Sequence, residues 1–180
     1  LLKYLQIWEQ YKLQIYHNYK YISINEIYKQ ELFIKAIPNE IELILDNLLK
    51  NSIKACIEKK SIINNSKNNY NYSPLIKIDI NSHKFETIID EPSLIFEIKI
   101  EDNGTGISED KIREIFLNGS GIFKEGEKIG LFQVQKYIEK NDLAIQVYSK
   151  NILENERKTV FSVIGKFIEK LDFTNILVEI

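Results

Sequence analysis

The 180-residue sequence predicts one domain with an α/β fold, and three patterns support this prediction. Between residues 76 and 100, two runs alternate apolar and polar side chains, which is typical of half-buried strands. Residues 39–55 and 128–141 carry apolar side chains at the spacing of helices that bury one face. Residues 144–149 and 159–164 also have strand character, so strands and helices alternate along the chain.

The other segments are less regular. Residues 1–17 place aromatic and apolar side chains at helical intervals, and they predict an amphipathic helix that needs a partner surface. Residues 19–24 and 31–37 predict short strands. The stretch 64–74 is polar and rich in Asn, and it predicts an exposed loop. Ser108 is predicted to cap a short helix over residues 109–116.

Composition excludes several classes of protein. With 24 basic and 26 acidic residues the net charge is -2, so we expect neither nucleic acid nor a membrane surface as a partner. The single cysteine, Cys56, excludes an internal disulfide and lies on an apolar helix face, which predicts a small core residue. No signal peptide or membrane span is visible, and we expect a cytoplasmic domain. The chain begins at Leu1 and contains no Met, which predicts a piece of a longer protein whose other parts can include a membrane anchor.

The helix over residues 39–55 has a polar stripe beside its apolar face. Asn47, Asn51 and Lys54 are spaced i, i+4 and i+7, so their two amides and one ammonium point the same way. Such groups can hold a metal ion and a phosphate, although a stripe of this kind is more often a solvated helix edge. The predicted buried face consists of six side chains: Ile41, Leu45, Leu48, Leu49, Ser52 and Cys56.

Two glycine-containing segments follow. The second alternating strand leads into residues 102–107, Asp-Asn-Gly-Thr-Gly-Ile, where two glycines permit close approach of another group. A second loop, residues 117–127, contains three glycines and leads into the helix over residues 128–141. The alternative interpretation of the first segment is a tight turn that ends a strand.

The polar stripe, the Asp-x-Gly-x-Gly turn and the glycine loop, in this order, resemble the ATP-binding domain of histidine kinases and of the wider GHKL family, which includes gyrase, Hsp90 and MutL. The resemblance covers roughly residues 31–165. It implies a two-layer α/β sandwich of the Bergerat type, with helices on one face of a mixed, mainly antiparallel sheet. It also implies an ATP-binding domain over residues 31–180, preceded by an N-terminal helix and lead-in over residues 1–30. That helix is either the tail of an upstream dimerisation helix or a packing element.

The resemblance implies roles for the stripe. Asn51 matches the position that supplies a magnesium ligand, which suits a hard cation that prefers oxygen ligands. Lys54 matches a basic position of the kinase branch and is expected to neutralise phosphate charge. ATP and Mg²⁺ are therefore the expected cofactors.

It also implies an adenine site. Asp102 matches the residue that accepts a hydrogen bond from the exocyclic amine of adenine, and a carboxylate, as an acceptor only, would repel the guanine carbonyl. Gly104 and Gly106 would let the backbone pass under the base, and Ile107 would pack against it. Thr159 matches a threonine that assists the aspartate through water.

The lid over the nucleotide is implied by the remaining positions. Phe116 resembles an aromatic residue that helps to set this lid. The family pattern is Gly-x-Gly-x-Gly-Leu, and its four defined positions are occupied here by Gly126, Lys128, Gly130 and Leu131, so that Lys128 replaces the middle glycine. Lys128 either disrupts the backbone amides that bind phosphate or adds a charge to them. We expect binding to be retained with altered lid behaviour.

One position separates the branches of the family. Hydrolysing members have a Glu where this chain has Asn47, and an amide is not a general base near neutral pH. We therefore expect a histidine kinase-type phosphotransferase. The only histidines, His17 and His83, are not followed by an acidic residue. The phosphoacceptor is therefore expected on another part of the parent protein or on a partner. The parent protein is expected to be a dimer through regions outside this chain. The alternatives are a GHKL-type ATPase and a degenerate nucleotide-sensing or interaction module.

Overall fold

The structure is a computed structural model. The predicted helix over residues 1–17 and the glycine loop over residues 117–127 lie outside the part of the chain that it describes. The described residues are 23–28, 36–65, 71–85, 93–115, 128–153 and 156–166.

Five strands form one mixed sheet in the order β1-β2-β3-β5-β4. β1 pairs with β2 in parallel, and the other three pairings are antiparallel. The predicted mixed, mainly antiparallel sheet is therefore confirmed. The strands are β1 Ser23–Tyr28, β2 Leu75–Phe85, β3 Ser93–Asp102, β4 Ala144–Leu153 and β5 Glu156–Lys166.

The start of the sheet differs from the sequence prediction. β1 shares only its first two residues with the first predicted strand, residues 19–24, whose other residues lie outside the described part of the chain. β1 therefore lies further along the chain than predicted, in the segment predicted as a lead-in. Of the second predicted strand, only Ala36 and Ile37 are described, and neither is in a strand. The Ile37 carbonyl instead accepts the N–H groups of Glu40 and Ile41, because Pro38 begins a helix at that point.

Three helices are described: α1 Pro38–Asn65, α2 Glu109–Glu114 and α3 Lys128–Lys140. α1 extends well beyond the predicted end at residue 55, since the next residues contain no Pro or Gly. Ser108 is the N-cap residue of α2, as predicted, but its side chain makes no capping hydrogen bond. Within the described residues, no helix is long and apolar enough to cross a membrane.

The core lies between the sheet and the helices α1 and α3. Five of the six side chains on the predicted face of α1 are buried, whereas Leu45 is half-buried. Ile44 and Ile53 are buried as well, so the face that packs in the core is broader than predicted. Burial raises the pKa of Cys56 to about 11, which agrees with its predicted role as a small core residue. The other buried apolar side chains are Ile76, Ile78, Phe96, Ile100, Ile115, Val134, Ile138, Phe161 and Val163.

The end of α3 is tied to the start of α1 by polar side chains. Lys140 Nζ lies 2.5 Å from Glu40 Oε1, and Asn141 Nδ2 donates to Glu40 Oε2 at 2.9 Å. The same Asn141 accepts the N–H of Ile37 at 2.7 Å through Oδ1. The bond from Lys140 lowers the pKa of Glu40. Because these contacts join segments 100 residues apart, they fix how α3 sits against α1.

α3 ends in a left-handed turn. Asp142 has φ 54, and the N–H of Leu143 donates to the carbonyl of Ile138 at 2.9 Å. This is the hydrogen bond of a Schellman motif, which satisfies carbonyls at the end of a helix. The motif turns the chain directly into β4.

Candidate functional site

Asp102 ends β3 on the helix-covered side of the sheet. Its side chain is 2% exposed, and its Oδ1 accepts the N–H of Gly104 at 2.9 Å. In the sheet register Asp102 lies opposite Thr159 of β5, which is also buried. Two of the residues that the sequence predicts at the adenine site therefore lie side by side on neighbouring strands.

Burial raises the pKa of Asp102 from its ordinary value of 3.8 to about 6. The Gly104 N–H and the neighbouring Ser52 hydroxyl oppose this rise. Ser52 Oγ is itself buried, and it has no hydrogen bond of good geometry among the described residues. Asp102 is thus a buried acceptor without a salt bridge in the described part of the chain, which suits recognition of a polar ligand.

The raised pKa of Asp102 predicts a pH-dependent stability. Because the folded pKa lies above the unfolded one, the stability that Asp102 contributes is fully present below pH 3.8 and is lost as the pH rises through about 6. The difference corresponds to about 3 kcal/mol. Denaturant unfolding between pH 4 and pH 8 should show Asp102→Asn gaining stability relative to the wild type as the pH rises. Parallel pH profiles for the two proteins would contradict this effect of burial.

The turn after Asp102 is braced against α1. A Cβ atom on Gly104 would lie 2.6 Å from the carbonyl carbon of Ala55, which leaves no room for a side chain. The N–H of Thr105 also donates to the Ala55 carbonyl at 3.3 Å. Gly106 has φ 76, a conformation that favours glycine. Since Ala55 is one helical turn after Asn51, this contact places the turn beside the polar stripe of α1.

Two hydroxyl groups support the far side of the turn. The N–H of Ile107 donates to Ser149 Oγ at 3.0 Å, and Ser149 Oγ lies 3.1 Å from Thr159 Oγ1. The side chain of Ile107 packs against the core. Sequence reasoning missed Ser149, because a serine in a strand carries no signal without its pairing partner.

Asn103 is a second residue that sequence reasoning missed, because it stands at a variable position of Asp-x-Gly-x-Gly. Its Oδ1 accepts the Tyr72 hydroxyl at 3.0 Å and the N–H of Leu75 at 2.9 Å, and its Nδ2 donates to the Ser73 carbonyl at 2.9 Å. Lys59 of α1 donates to the Asn103 carbonyl at 2.8 Å. Asn103 therefore anchors the turn to the start of β2 and to α1.

The polar stripe of α1 lies as predicted, but its members differ in environment. Lys54 is exposed, and Asn47 and Asn51 are half-buried. Asn51 Nδ2 is buried and has no hydrogen-bond partner among the described residues. The amide oxygen of such a side chain would suit Mg²⁺, which takes its other ligands from phosphates and water when it binds with a nucleotide. A metal site made of protein side chains alone is not indicated, since no group of three His, Cys, Asp or Glu residues gathers within the described chain.

The described part of the predicted lid segment is the start of α3. Lys128 is the first residue of this helix, and Leu131 packs against the core. Gly130 faces α1, where a Cβ atom would lie 2.7 Å from Asn47 Oδ1. Phe116 and Gly126 lie outside the described residues, so their predicted roles stay predictions.

The fold is a two-layer α/β sandwich with a buried carboxylate at the end of a central strand, and comparison with known proteins specifies the family. Residues 36–167 match the model of the histidine kinase-, DNA gyrase B- and HSP90-like ATPases. The chain belongs to this family, and it is an ATP-binding domain of the GHKL type. The predicted family and fold class are both confirmed.

Solved structures of histidine kinases share the fold. A mycobacterial sensor histidine kinase, MprB, aligns with a TM-score of 0.63 and 12% identity over 91% of this chain and 95% of its own. A nucleotide-free catalytic domain of histidine kinase ThkA aligns with a TM-score of 0.55 and 20% identity over 88% and 87% of the two chains. No curated protein sequence gives a significant match.

Proposed function

We propose that this domain binds Mg-ATP and transfers the γ-phosphate to a histidine of another domain or partner. In this proposal Asp102 reads the adenine amine, and Gly104, Gly106 and Ile107 shape the base pocket. Asn51 holds Mg²⁺, and Lys54 neutralises phosphate charge. Thr159 would assist Asp102 through water. The residues proposed for the lid and the phosphates are Phe116, Gly126, Lys128, Gly130 and Leu131.

One observation favours transfer over hydrolysis. Asn47, at the position where hydrolysing members carry a carboxylate, presents an amide whose Nδ2 donates to the Leu43 carbonyl of its own helix at 2.7 Å. An amide held in this way does not take a proton from water near neutral pH. Phosphoryl transfer depends mainly on positioning and charge neutralisation, so a site without a general base can serve a nucleophilic imidazole.

Residues of this chain would hold the parts of the proposed site in position. Asp102 is held by Gly104, and the turn is fixed by Ala55, Asn103 and Ser149. A nucleotide whose base is held here would direct its phosphates towards the stripe of α1. Bound Mg²⁺ would supply charge neutralisation for the phosphates. We further propose that the residues before β1 lead into this domain from a dimeric parent in the cytoplasm.

The proposal is tested by labelling. The full-length polypeptide that carries these residues is incubated with γ-³²P-ATP and Mg²⁺, and protein-bound label and free phosphate are followed together. We expect an acid-labile, base-stable phosphoprotein with little free phosphate. Steady phosphate release without labelled protein would favour the ATPase, and neither product, despite nucleotide binding, would favour a sensing module.

A further inference from the structure

The N-terminal part of α3 meets α1 at one tight contact. A Cβ atom added to Gly130 would lie 2.7 Å from Asn47 Oδ1, closer than real Cβ atoms approach an oxygen. While asparagine occupies position 47 of α1, the contact therefore favours glycine over any larger residue at position 130 of α3. A contact of this kind sets a minimum separation between two helices.

The amide of Asn47 is held in its orientation by its own helix. Nδ2 donates to the carbonyl of Leu43 at 2.7 Å, so rotation of the side chain away from Gly130 would break this hydrogen bond. The half-buried side chain therefore resists displacement by α3, because moving it would cost this hydrogen bond. Asn51 lies one turn further along the same stripe of α1.

The opposite end of α3 is tied as well. Its C terminus is joined to the start of α1 by contacts of Glu40, Lys140 and Asn141. A 13-residue helix is roughly 20 Å long and behaves as a rigid rod. With its C terminus fixed, the contact at Gly130 determines how near its N terminus comes to α1.

We propose that Asn47 is a positioning residue that sets the distance between the N terminus of α3 and the stripe that contains Asn51. The inference rests on the proposed function, because it assigns these two places to the phosphates and the metal of Mg-ATP. Asn47 contributes here by its size and fixed orientation, and it does not act on the reacting atoms. Affinity for the phosphates should therefore depend on the fit between positions 47 and 130, whereas affinity for adenosine should not.

The first test is a double-mutant cycle on thermal unfolding without nucleotide. Gly130→Ala should lower the Tm by roughly 4 °C or more, because the new Cβ atom meets Asn47. In an Asn47→Ala background the same change should raise the Tm by roughly 2–4 °C, since alanine is the better helix former once the clash is gone. Equal shifts in both backgrounds would overturn the inference.

A matched control is available at Gly165. A Cβ atom there would clash with Leu143 Cδ2 and would lie 2.7 Å from the Phe96 ring, away from Asn47. Gly165→Ala should lower the Tm to the same extent in both backgrounds. A rescue of Gly165→Ala by Asn47→Ala would mean that the rescue of Gly130 is not local, which would overturn the inference.

The second test compares Mg-ATP with adenosine by calorimetry. Gly130→Ala should weaken the affinity for Mg-ATP at least about tenfold and change the affinity for adenosine by no more than about twofold. The double variant, Gly130→Ala with Asn47→Ala, should bind Mg-ATP within about threefold of the wild-type affinity. If Gly130→Ala does not fold, Asn47→Ala alone should still weaken Mg-ATP more than adenosine. Equal weakening of both ligands would overturn the inference. Failure of the wild type to bind either ligand would instead refute the proposed function, and the Tm cycle would remain decisive for the contact.

Discussion

Asp102→Asn is expected to weaken ATP binding by at least about 100-fold. The variant keeps Oδ1 as the acceptor for the Gly104 N–H, so its Nδ2 would face the exocyclic amine of adenine, and two donors would meet. The loss of a charge-assisted hydrogen bond and the burial of an unpaired donor together amount to about 3 kcal/mol. Calorimetric titration with ATP measures the effect directly.

A matched control separates this effect from a general loss of structure. Asp110→Asn makes the same chemical change on the exposed surface of α2, and its affinity for ATP should equal that of the wild type. Asp102→Asn should remain folded, because it has the same shape and removes a buried charge. If it bound ATP as tightly as the wild type does, Asp102 would not read the base.

Asn51→Ala is expected to lower the rate of phosphoryl transfer at least about 100-fold. Loss of a metal ligand should lower the rate more than loss of a residue that only orients such a ligand. The variant removes the proposed amide oxygen ligand of Mg²⁺. The rate should reach half of its maximum at a higher Mg²⁺ concentration than in the wild type, and the affinity for adenosine should be unchanged. Initial rates of labelling across a Mg²⁺ titration provide the measurement.

The control for Asn51 is its neighbour on α1. Lys50 is exposed and pairs with Asp46 at 2.6 Å, so Lys50→Ala changes the adjacent residue without reaching the proposed site. It should retain transfer and Mg²⁺ dependence within about twofold, as expected for a surface ion pair. An Asn51→Ala variant with the rate and Mg²⁺ dependence of the wild type would refute the assignment.

The sequence predicts the features that depend on local spacing. Periodicity identifies the buried face of α1, because one face of a helix must pack on the sheet whatever the sheet contains. The order of short motifs indicates the family, since each motif needs its own backbone context. Gly104 is an example, because the motif predicts a close approach there, and the structure shows that Ala55 of α1 is the neighbour.

The features that depend on distant partners were not predicted. Asn141 and Glu40 are 101 residues apart, and neither has a local pattern that names the other. Asn103 stands at a position that the motif leaves open, and its role depends on which strand lies beside the turn. The contact between Asn47 and Gly130 likewise follows from how two helices pack, which periodicity does not specify.

The central claim is that Asp102 and Asn51 hold the two ends of one Mg-ATP molecule. A crystal structure with Mg²⁺ and a non-hydrolysable ATP analogue tests it most directly. We expect the adenine amine within hydrogen-bond distance of the Asp102 carboxylate and Mg²⁺ about 2.1 Å from Asn51 Oδ1. A nucleotide bound with its base away from Asp102, or a metal ion without Asn51 among its ligands, would contradict it.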